Sequence, residues 1–147
     1  MDEQRLAEHV VGHMIDNDAF SAWLGIELVE LKPGYAKLTM TVRPDMVNGF
    51  GVAHGGIVFS FADSAMAFAA NGYGNVAVAL NNHIQYPLAV VPGDELTCSA
   101  IERSRTRRTA VYDVEIERGE GEVVALFRGT VFRTHKQHDV TQTSAAE

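Results

Sequence analysis

Residues 57–71 of this chain read IVFSFADSAMAFAAN, and this stretch decides the fold that we predict. It is apolar almost all round a helical projection, which is typical of a buried helix rather than of an amphipathic surface helix. Gly72 and Gly74 follow and end the helix. A helix without a polar face needs structure wrapped around it, and a curved antiparallel sheet is the partner that the rest of the chain can supply.

The segments on either side of this helix supply strands and two further helices. Apolar residues at helical spacing predict an amphipathic helix over 2–15, and a short helix over 19–24 precedes Gly25. Turn residues such as Pro33-Gly34 separate runs of strand-like sequence. The resulting order is helix, two strands, buried helix and four strands, which is an α+β fold. The predicted strands are 26–32, 35–43, 76–86, 95–104, 109–118 and 122–133.

Length and composition indicate one acidic globular domain. The 147 residues include 12 Lys and Arg against 19 Asp and Glu, a net charge of −7, which argues against a generic nucleic-acid binder. We predict a single domain over 1–134, with its N-terminal helix, and a polar, disordered tail over 135–147. The charged N-terminus does not resemble a signal peptide, and no stretch reads as a membrane span. We therefore expect a cytoplasmic protein.

The distribution of charge singles out one carboxylate. Between Asp45 and Asp94 lie 48 residues, and Asp63 is the only Asp, Glu, Lys or Arg among them. A buried carboxylate costs several kcal/mol unless it is hydrogen-bonded, paired or protonated, so such residues are candidates for function. Asp63 can act as a general base on water or as a nucleophile. The alternative is a structural carboxylate that neighbouring amides satisfy.

The loop before the buried helix carries a second group of candidates. It reads Asn48-Gly-Phe-Gly-Val-Ala-His54-Gly55-Gly56. Free backbone N–H groups at the start of a helix, together with the helix dipole, suit an anion or a developing oxyanion. His54 either transfers a proton or caps and orients the loop. Asn48 positions a carbonyl group or a water, or is simply the turn residue of Asn-Gly.

The spacing of these candidates predicts a shared site. Asp63 lies eight residues beyond Gly55, which is roughly 12 Å along one helix. The two groups are too far apart to act on one carbonyl carbon. If both are catalytic, they come from different chains that face each other across a dimer interface. Six strands also leave open sheet edges, which favours pairing with a second copy.

Several short motifs are spread across residues 20–134. They are Leu24-Gly-Ile, Thr39-Met-Thr-Val, Asn48-Gly, His54-Gly-Gly, Phe59-Ser, Ala62-Asp63, Pro92-Gly-Asp, Tyr112-Asp-Val-Glu-Ile and Val124-Ala-Leu-Phe-Arg-Gly. Together they resemble one family, the hotdog acyl-CoA thioesterases of the phenylacetic acid degradation (PaaI) type. The resemblance implies the hotdog fold, in which a curved antiparallel sheet wraps a long buried helix and the domain dimerises through the sheet edge.

The resemblance also implies a reaction and a set of roles. Asp63 is then the catalytic carboxylate and Gly55 the oxyanion-hole amide, while Asn48 and His54 complete the site from the partner subunit. The implied reaction is hydrolysis of phenylacetyl-CoA or its hydroxylated relatives, in a homotetramer built from two dimers. We expect no metal and no cofactor, since coenzyme A is part of the substrate.

The strand after the helix departs from the pattern of some relatives. These relatives carry a Ser or Thr there that holds the water, and the corresponding residue in this chain is Ala79. Asn81, two residues further on, lies on the same predicted strand face and is the candidate substitute. His83 shares that face too, where a structural hydrogen bond is the more common role.

Further residues are candidates for contacts with the substrate. Arg103, Arg105, Arg107 and Arg108 concentrate positive charge that could hold the phosphates of coenzyme A, or they belong to a solvated hairpin. Cys98 alternates with apolar neighbours, which predicts a small buried side chain rather than a nucleophile. The aromatic residues that could line an acyl pocket, or simply form core, are Trp23, Phe50, Phe59, Phe61 and Phe68.

Three alternative functions remain open at this point. The enzyme could hydrolyse other aryl- or medium-chain acyl-CoA esters. It could be a hotdog hydratase of enoyl or 3-hydroxyacyl thioesters that uses His54 and Asp63 as a proton-transferring pair. It could also be an acyl-CoA-binding or scaffolding module without activity, which would keep the arginines but would have no need for Asp63.

Overall fold

The structure is a computed structural model that describes residues 1–141. Within this range the chain forms three α-helices and six β-strands in the predicted order. The helices are α1 (Glu3–Asp16), α2 (Ala19–Leu24) and α3 (Gly55–Asn71). The strands are β1 (Glu27–Lys32), β2 (Tyr35–Thr41), β3 (Asn75–Gln85), β4 (Glu95–Arg105), β5 (Thr109–Arg118) and β6 (Glu122–Gln137).

The strands form one antiparallel sheet in the order β1-β2-β4-β5-β6-β3, and α3 packs against it. The helix connects β2 to β3, which lies at the opposite edge of the sheet, so the chain crosses the whole sheet through α3. Phe61, Ala65 and Phe68 of the helix are at most 1% exposed. This arrangement confirms the predicted α+β hotdog fold, with the long apolar helix held by the sheet.

Alternation along β2 shows how the sheet presents a core face to α3. Ala36, Leu38 and Met40 are buried, whereas Lys37 and Thr39 between them remain partly exposed. This is the period of two that a half-buried strand requires, and it confirms the prediction for this strand. The apolar faces of β2 and of its neighbours thus cover the helix that the sequence predicted to be buried.

A β-bulge in β3 changes which of its residues face the helix. Between Ala79 and Asn81 the strand advances by two residues while its partner β6 advances by one. Ala77 packs against the core before the bulge, and Ile84 packs against it afterwards. Core-facing positions therefore change from odd to even numbers along the strand. As a result Asn82 faces α3, whereas Asn81 is exposed.

The last strand continues beyond its predicted end. β6 reaches Gln137, which pairs with Asn75 at the start of β3. His138 then donates its backbone N–H to the carbonyl oxygen of Gly74 over 2.8 Å. The prediction that the disordered tail begins at residue 135 is therefore wrong for these residues, because backbone pairing with β3 holds them. Residues 142–147 of that predicted tail lie outside the described part of the chain.

Two strands, β1 and β3, form the edges of the sheet. On β3, Val78 is 48% and Leu80 is 60% exposed. Dimerisation through this sheet edge stays a prediction. In residues 1–141 we find no helix that is long and apolar enough to cross a membrane.

Candidate active site

The loop that leads into α3 is folded back on itself by backbone hydrogen bonds. Asn48 donates its N–H to the carbonyl oxygen of Val52 over 2.8 Å, and Gly51 adopts the left-handed φ of 79° that closes the turn. The side-chain oxygen of Asn48 accepts a hydrogen bond of 2.9 Å from the N–H of Phe50. Asn48 is thus a turn residue, as one alternative stated. Its side-chain NH₂ makes no hydrogen bond to other residues in the described range, so this group is available to a ligand.

His54 is the N-cap of α3. Its ring Nδ1 accepts a hydrogen bond of 2.9 Å from the N–H of Gly56, and its carbonyl oxygen accepts one from Ile57. This contact satisfies one of the free backbone N–H groups at the start of the helix. A Cβ on Gly56 would lie 3.0 Å from the same ring nitrogen, which explains the glycine. The capping role of His54 is therefore the one that the geometry shows.

Gly55 is the first residue of α3, and its N–H has no hydrogen-bond acceptor among residues 1–141. Its carbonyl oxygen accepts a hydrogen bond of 2.8 Å from the hydroxyl of Tyr86. Burial raises the pKa of the Tyr86 phenol, which keeps this hydroxyl protonated as a donor. Sequence reasoning did not identify Tyr86, because only the fold brings the end of β3 to the first turn of α3. The free N–H at a helix N-terminus is the donor that an oxyanion requires.

Asp63 lies in the middle of α3 and is partly buried. The side-chain NH₂ of Asn82 donates a hydrogen bond of 3.0 Å to its Oδ1. Burial raises the pKa of Asp63, and the hydrogen bond from Asn82 opposes part of that rise. In the described residues Asp63 forms no ion pair. A carboxylate with a raised pKa and no cationic partner is suited to accept a proton from water.

The strand opposite Asp63 supplies a different residue from the one predicted. Ala79 has no hydroxyl to hold a water, as the sequence already showed. Asn81, the predicted substitute, is exposed and makes no side-chain hydrogen bond in the described range. The prediction is wrong because it counted alternate residues straight through the β-bulge. Asn82 faces the helix instead. A break in the alternation of apolar and polar residues along β3 is the only sequence signal that could have indicated this bulge. His83 is exposed on the other face of β3.

The two candidate catalytic groups remain apart within one chain. Gly55 and Asp63 belong to the same uninterrupted helix, so their separation stays at about 12 Å along its axis. The structure joins Asn48, His54 and Gly55 in one loop and helix start, and it places Asp63 beside Asn82 two turns further on. Within one chain the two groups of candidate residues therefore lie apart, and a site shared between two chains stays a prediction.

The four arginines do not form one cluster. A bulge between Glu102 and Ser104 places Arg103 and Arg105 on opposite faces of the sheet. Arg103 pairs with Asp113 at 3.2 Å on the outer face. The expectation of a single basic patch is therefore wrong, because alternation fails at this bulge as it does in β3.

The surroundings of the other three arginines differ as well. Arg105 pairs with Glu102 at 3.3 Å and lies over the ring of Tyr73 at 4.0 Å. Arg108 lies 3.2 Å from the ring of His135. The exposed side chain of Arg107 has no hydrogen bond or ion pair within residues 1–141. Contact of any of these arginines with coenzyme A stays a prediction.

The five aromatic residues proposed for an acyl pocket have different surroundings. Phe61 and Phe68 are buried in the core, and Phe59 packs edge-on against Phe127. Phe50 is 92% exposed, and Trp23 is 47% exposed. Phe61 and Phe68 are therefore core residues, as one of the two alternatives predicted, and a role of the other three rings in an acyl pocket stays a prediction.

An apolar cavity of about 280 Å³ instead adjoins the first turn of α3. Tyr86 contributes the only side-chain hydroxyl to its lining, and the other lining residues are apolar or glycine. They are Val52, Ala53, Gly55, Val58, Leu88, Ala89, Val90 and Val124.

Cys98 does not line this cavity. It is fully buried, and burial raises the pKa of its thiol far above the usual range, which fits the predicted apolar role.

Comparison with known proteins identifies the class of this site. The family model of the thioesterase superfamily matches residues 50–125, the segment that contains the His54 loop, α3 and the strands around Asp63. The chain belongs to this superfamily, and it is a thioester hydrolase with the hotdog fold.

Relatives place the chain more narrowly. It is 42% identical over 120 residues to the acyl-coenzyme A thioesterase PaaI of Escherichia coli, covering 82% of this chain and 86% of that protein. The structure of the E. coli PaaI protein from the phenylacetic acid degradation operon matches with a TM-score of 0.89 and 38% identity, covering 92% of this chain and 99% of that one. The crystal structure of a hypothetical thioesterase protein from Streptococcus pneumoniae, solved with coenzyme A, matches with a TM-score of 0.80 and 29% identity, covering 86% of this chain and 98% of that one. The chain is thus a member of the PaaI-type hotdog thioesterases, which confirms the family resemblance.

Proposed function

We propose that this protein hydrolyses phenylacetyl-CoA or hydroxyphenylacetyl-CoA to the free acid and coenzyme A. The observation that carries the proposal is the free N–H of Gly55 beside an apolar cavity of about 280 Å³. Ligand pockets for drug-sized molecules start at roughly 300 Å³, so this cavity suits a compact acyl group rather than a long chain. The relationship to PaaI of E. coli, a protein from the phenylacetic acid degradation operon, supports an aromatic acyl group.

The oxyanion site acts on the thioester carbonyl. In this mechanism the carbonyl oxygen accepts the hydrogen bond of the Gly55 N–H, and the positive end of the α3 dipole stabilises the negative charge that develops on it. Tyr86 holds the neighbouring carbonyl group of Gly55, and His54 caps the same turn. The side-chain NH₂ of Asn48 is free to orient the substrate.

Asp63 supplies the second half of the mechanism. As a general base it takes a proton from water, the resulting hydroxide attacks the carbonyl carbon, and collapse of the tetrahedral intermediate expels the thiolate of coenzyme A. As a nucleophile its carboxylate would instead form a mixed anhydride that water then hydrolyses. Both routes use the same carboxylate, and neither needs a metal or a cofactor.

The active site in this proposal is shared by two subunits. Antiparallel pairing of two β3 edges would cover Val78 and Leu80 and set two α3 helices side by side in opposite directions. Asp63 would then face Gly55, His54 and Asn48 of the partner subunit, which removes the 12 Å separation. Two such dimers would form a homotetramer in the cytoplasm.

Binding of coenzyme A in this proposal relies on arginines near the β4–β5 turn. Arg105, Arg107 and Arg108 are the candidates, whereas Arg103 lies on the opposite face from Arg105 and is paired with Asp113. Arg107 is the first of them to test, because no partner within residues 1–141 competes for its guanidinium. The phosphates would draw charge-assisted hydrogen bonds from it.

A panel of acyl-CoA esters tests the proposal. Thiol release would be measured with phenylacetyl-CoA, hydroxyphenylacetyl-CoA, benzoyl-CoA and straight acyl chains of increasing length, using Asp63→Asn as the inactive control. We expect the highest kcat/KM for the phenylacetyl esters. Equal or higher values for medium-chain esters would overturn the aromatic preference. Loss of alkene absorbance from an enoyl-CoA without thiol release would indicate the hydratase instead.

A further inference from the structure

Asn82 occupies an unusual position between two secondary-structure elements. Its side-chain NH₂ donates to Asp63 over 3.0 Å, while its side-chain oxygen is buried and has no hydrogen-bond partner. This oxygen is the only buried side-chain N or O atom without a partner in the part of the chain that the structure describes. Buried polar atoms are almost always satisfied, so one that is not indicates that something other than stability maintains it.

The neighbouring strand makes room for this side chain. Gly129 of β6 pairs directly with Asn82. A Cβ at Gly129 would lie 2.5 Å from the unpaired oxygen of Asn82 and would overlap the sulfur of Met66. Only a glycine leaves space for both side chains, and the bulge after Ala79 is what turns Asn82 towards α3. The bulge, the glycine and the amide together place one hydrogen-bond donor against Asp63.

We infer that Asn82 is the positioning residue of Asp63: it orients the carboxylate and favours its ionised form. The inference rests on the proposed role of Asp63 in thioester hydrolysis. A leucine at position 82 would share the branching of asparagine at Cγ without a polar atom, although its side chain is larger. The asparagine leaves a buried oxygen without a partner at a core-facing position, and the contact that it adds is the one with Asp63.

Asn82 is also the only described side chain that counters the effect of burial on Asp63. Burial and this hydrogen bond are the two causes that act on the pKa of Asp63. No charged group in residues 1–141, on α3 itself or on the strands and helices packed against it, contributes to that pKa. Removal of the amide donor should therefore raise the pKa of Asp63, because only burial would then act on it.

Two variants and one matched control test the inference. Asn82→Leu removes the donor, and Asn82→Asp replaces it by a second acid next to Asp63. The acid limb of the pH profile of kcat/KM should move upward in Asn82→Leu and further in Asn82→Asp, since two adjacent carboxyl groups resist joint ionisation. On that limb we expect kcat/KM of Asn82→Leu to fall about tenfold, which corresponds to one hydrogen bond to a charged group, with little change in KM.

The control is Asn71→Ala. Asn71 is a buried asparagine, and its side-chain nitrogen and oxygen are both hydrogen-bonded, to Ala67, Ala77 and His138. We expect Asn71→Ala to lower the thermal midpoint and to leave the acid limb in place. Asn82→Leu should instead move the acid limb without lowering the thermal midpoint. The midpoint of this variant relative to the native protein should rise as the pH falls, because a higher folded-state pKa of Asp63 lets the folded protein bind a proton at higher pH.

The two readouts separate this inference from the proposed function. If the pH dependence of stability changes in Asn82→Leu while the acid limb of activity does not, Asn82 positions Asp63 but Asp63 is not the catalytic base. If neither readout changes, the positioning role is wrong, whatever the activity of Asp63→Asn. If Asn82→Leu only lowers the thermal midpoint, Asn82 is a structural residue and the inference is overturned.

Discussion

The hydroxyl of Tyr86 donates a hydrogen bond of 2.8 Å to the carbonyl oxygen of Gly55, and a Cβ on Gly55 would lie 3.2 Å from the same hydroxyl. This contact fastens the end of β3 to the first turn of α3 and so fixes the direction of the proposed oxyanion donor. Tyr86→Phe keeps the ring and removes the hydrogen bond. We expect kcat to fall about two- to tenfold with KM nearly unchanged, measured by thiol release. Tyr35→Phe, on β2, is the control and should leave both constants unchanged.

The Gly55 N–H can be removed without breaking the helix. Gly55 is the first residue of α3, where proline is tolerated, and His54 before it has φ −59° and ψ 134°, which a following proline accepts. Gly55→Pro should lower kcat by about 10²- to 10³-fold. Gly55→Ala adds a Cβ at the same place but keeps the N–H, so it should lose much less. Equal losses in the two variants would mean that the side chain, and not the N–H, decides the rate.

The shared site predicts that two inactive variants restore each other. A heterodimer of Asp63→Asn with Gly55→Pro contains one site with both native groups and one site with neither. Random exchange of subunits should therefore recover about a quarter of the native activity, measured after co-refolding or co-expression. Mixtures that stay inactive, although mass spectrometry detects the heterodimer, would show that each chain carries its own complete site.

We expect Asp63 to lower the stability of the folded protein and to increase the rate of thioester hydrolysis. Burial raises its pKa in the folded state above the ordinary value, so the folded protein binds a proton more tightly than the unfolded chain does. Its stability should accordingly increase as the pH falls through the folded-state pKa. Asp63→Asn removes the charge, and we expect an unchanged or higher thermal midpoint at neutral pH. The rate should fall by about 10²- to 10⁴-fold. A lower midpoint with retained activity would instead identify a structural carboxylate.

Arg107 should affect binding more than turnover. Arg107→Ala should raise KM for acyl-CoA esters about fivefold and leave kcat nearly unchanged, the size expected for one exposed ionic contact. Arg5→Ala is the control for net charge, because Arg5 on α1 is also exposed. Since the contact would be to phosphate, the effect of Arg107→Ala should shrink at high salt. An unchanged KM at low salt would remove Arg107 from the binding site.

The sequence predicted those features that depend on local pattern. The uniform apolarity of 57–71 identified α3, and the absence of other charges over 48 residues identified Asp63. The glycines after His54 identified the helix start with its free N–H. In each case the relevant information lies within one or two turns of chain, or in composition.

The features that were missed depend on pairing between distant strands. Asn82 replaced Asn81 because a bulge forms against β6, some fifty residues further on. Arg103 and Arg105 were separated by a second bulge, against β5. β6 is longer than predicted because the backbone of its polar end pairs with the start of β3. Alternation read from the sequence assumes that every residue of a strand has a paired position in the sheet. A β-bulge adds one residue without a paired position, so the predicted faces are exchanged beyond it.

The place of β6 between β5 and β3 has a consequence for synthesis on the ribosome. β3 pairs with β6 and with no other strand in the described chain, and the partners Asn75 and Gln137 are 62 residues apart. During translation, β3 therefore has no strand to pair with, and the adjoining side of the apolar helix α3 stays exposed, until β6 has emerged. Such non-local closure is slow, and the interval exposes apolar surface to aggregation. Ribosome-associated chaperones should accordingly bind the nascent chain until β6 has emerged from the ribosome and paired with β3.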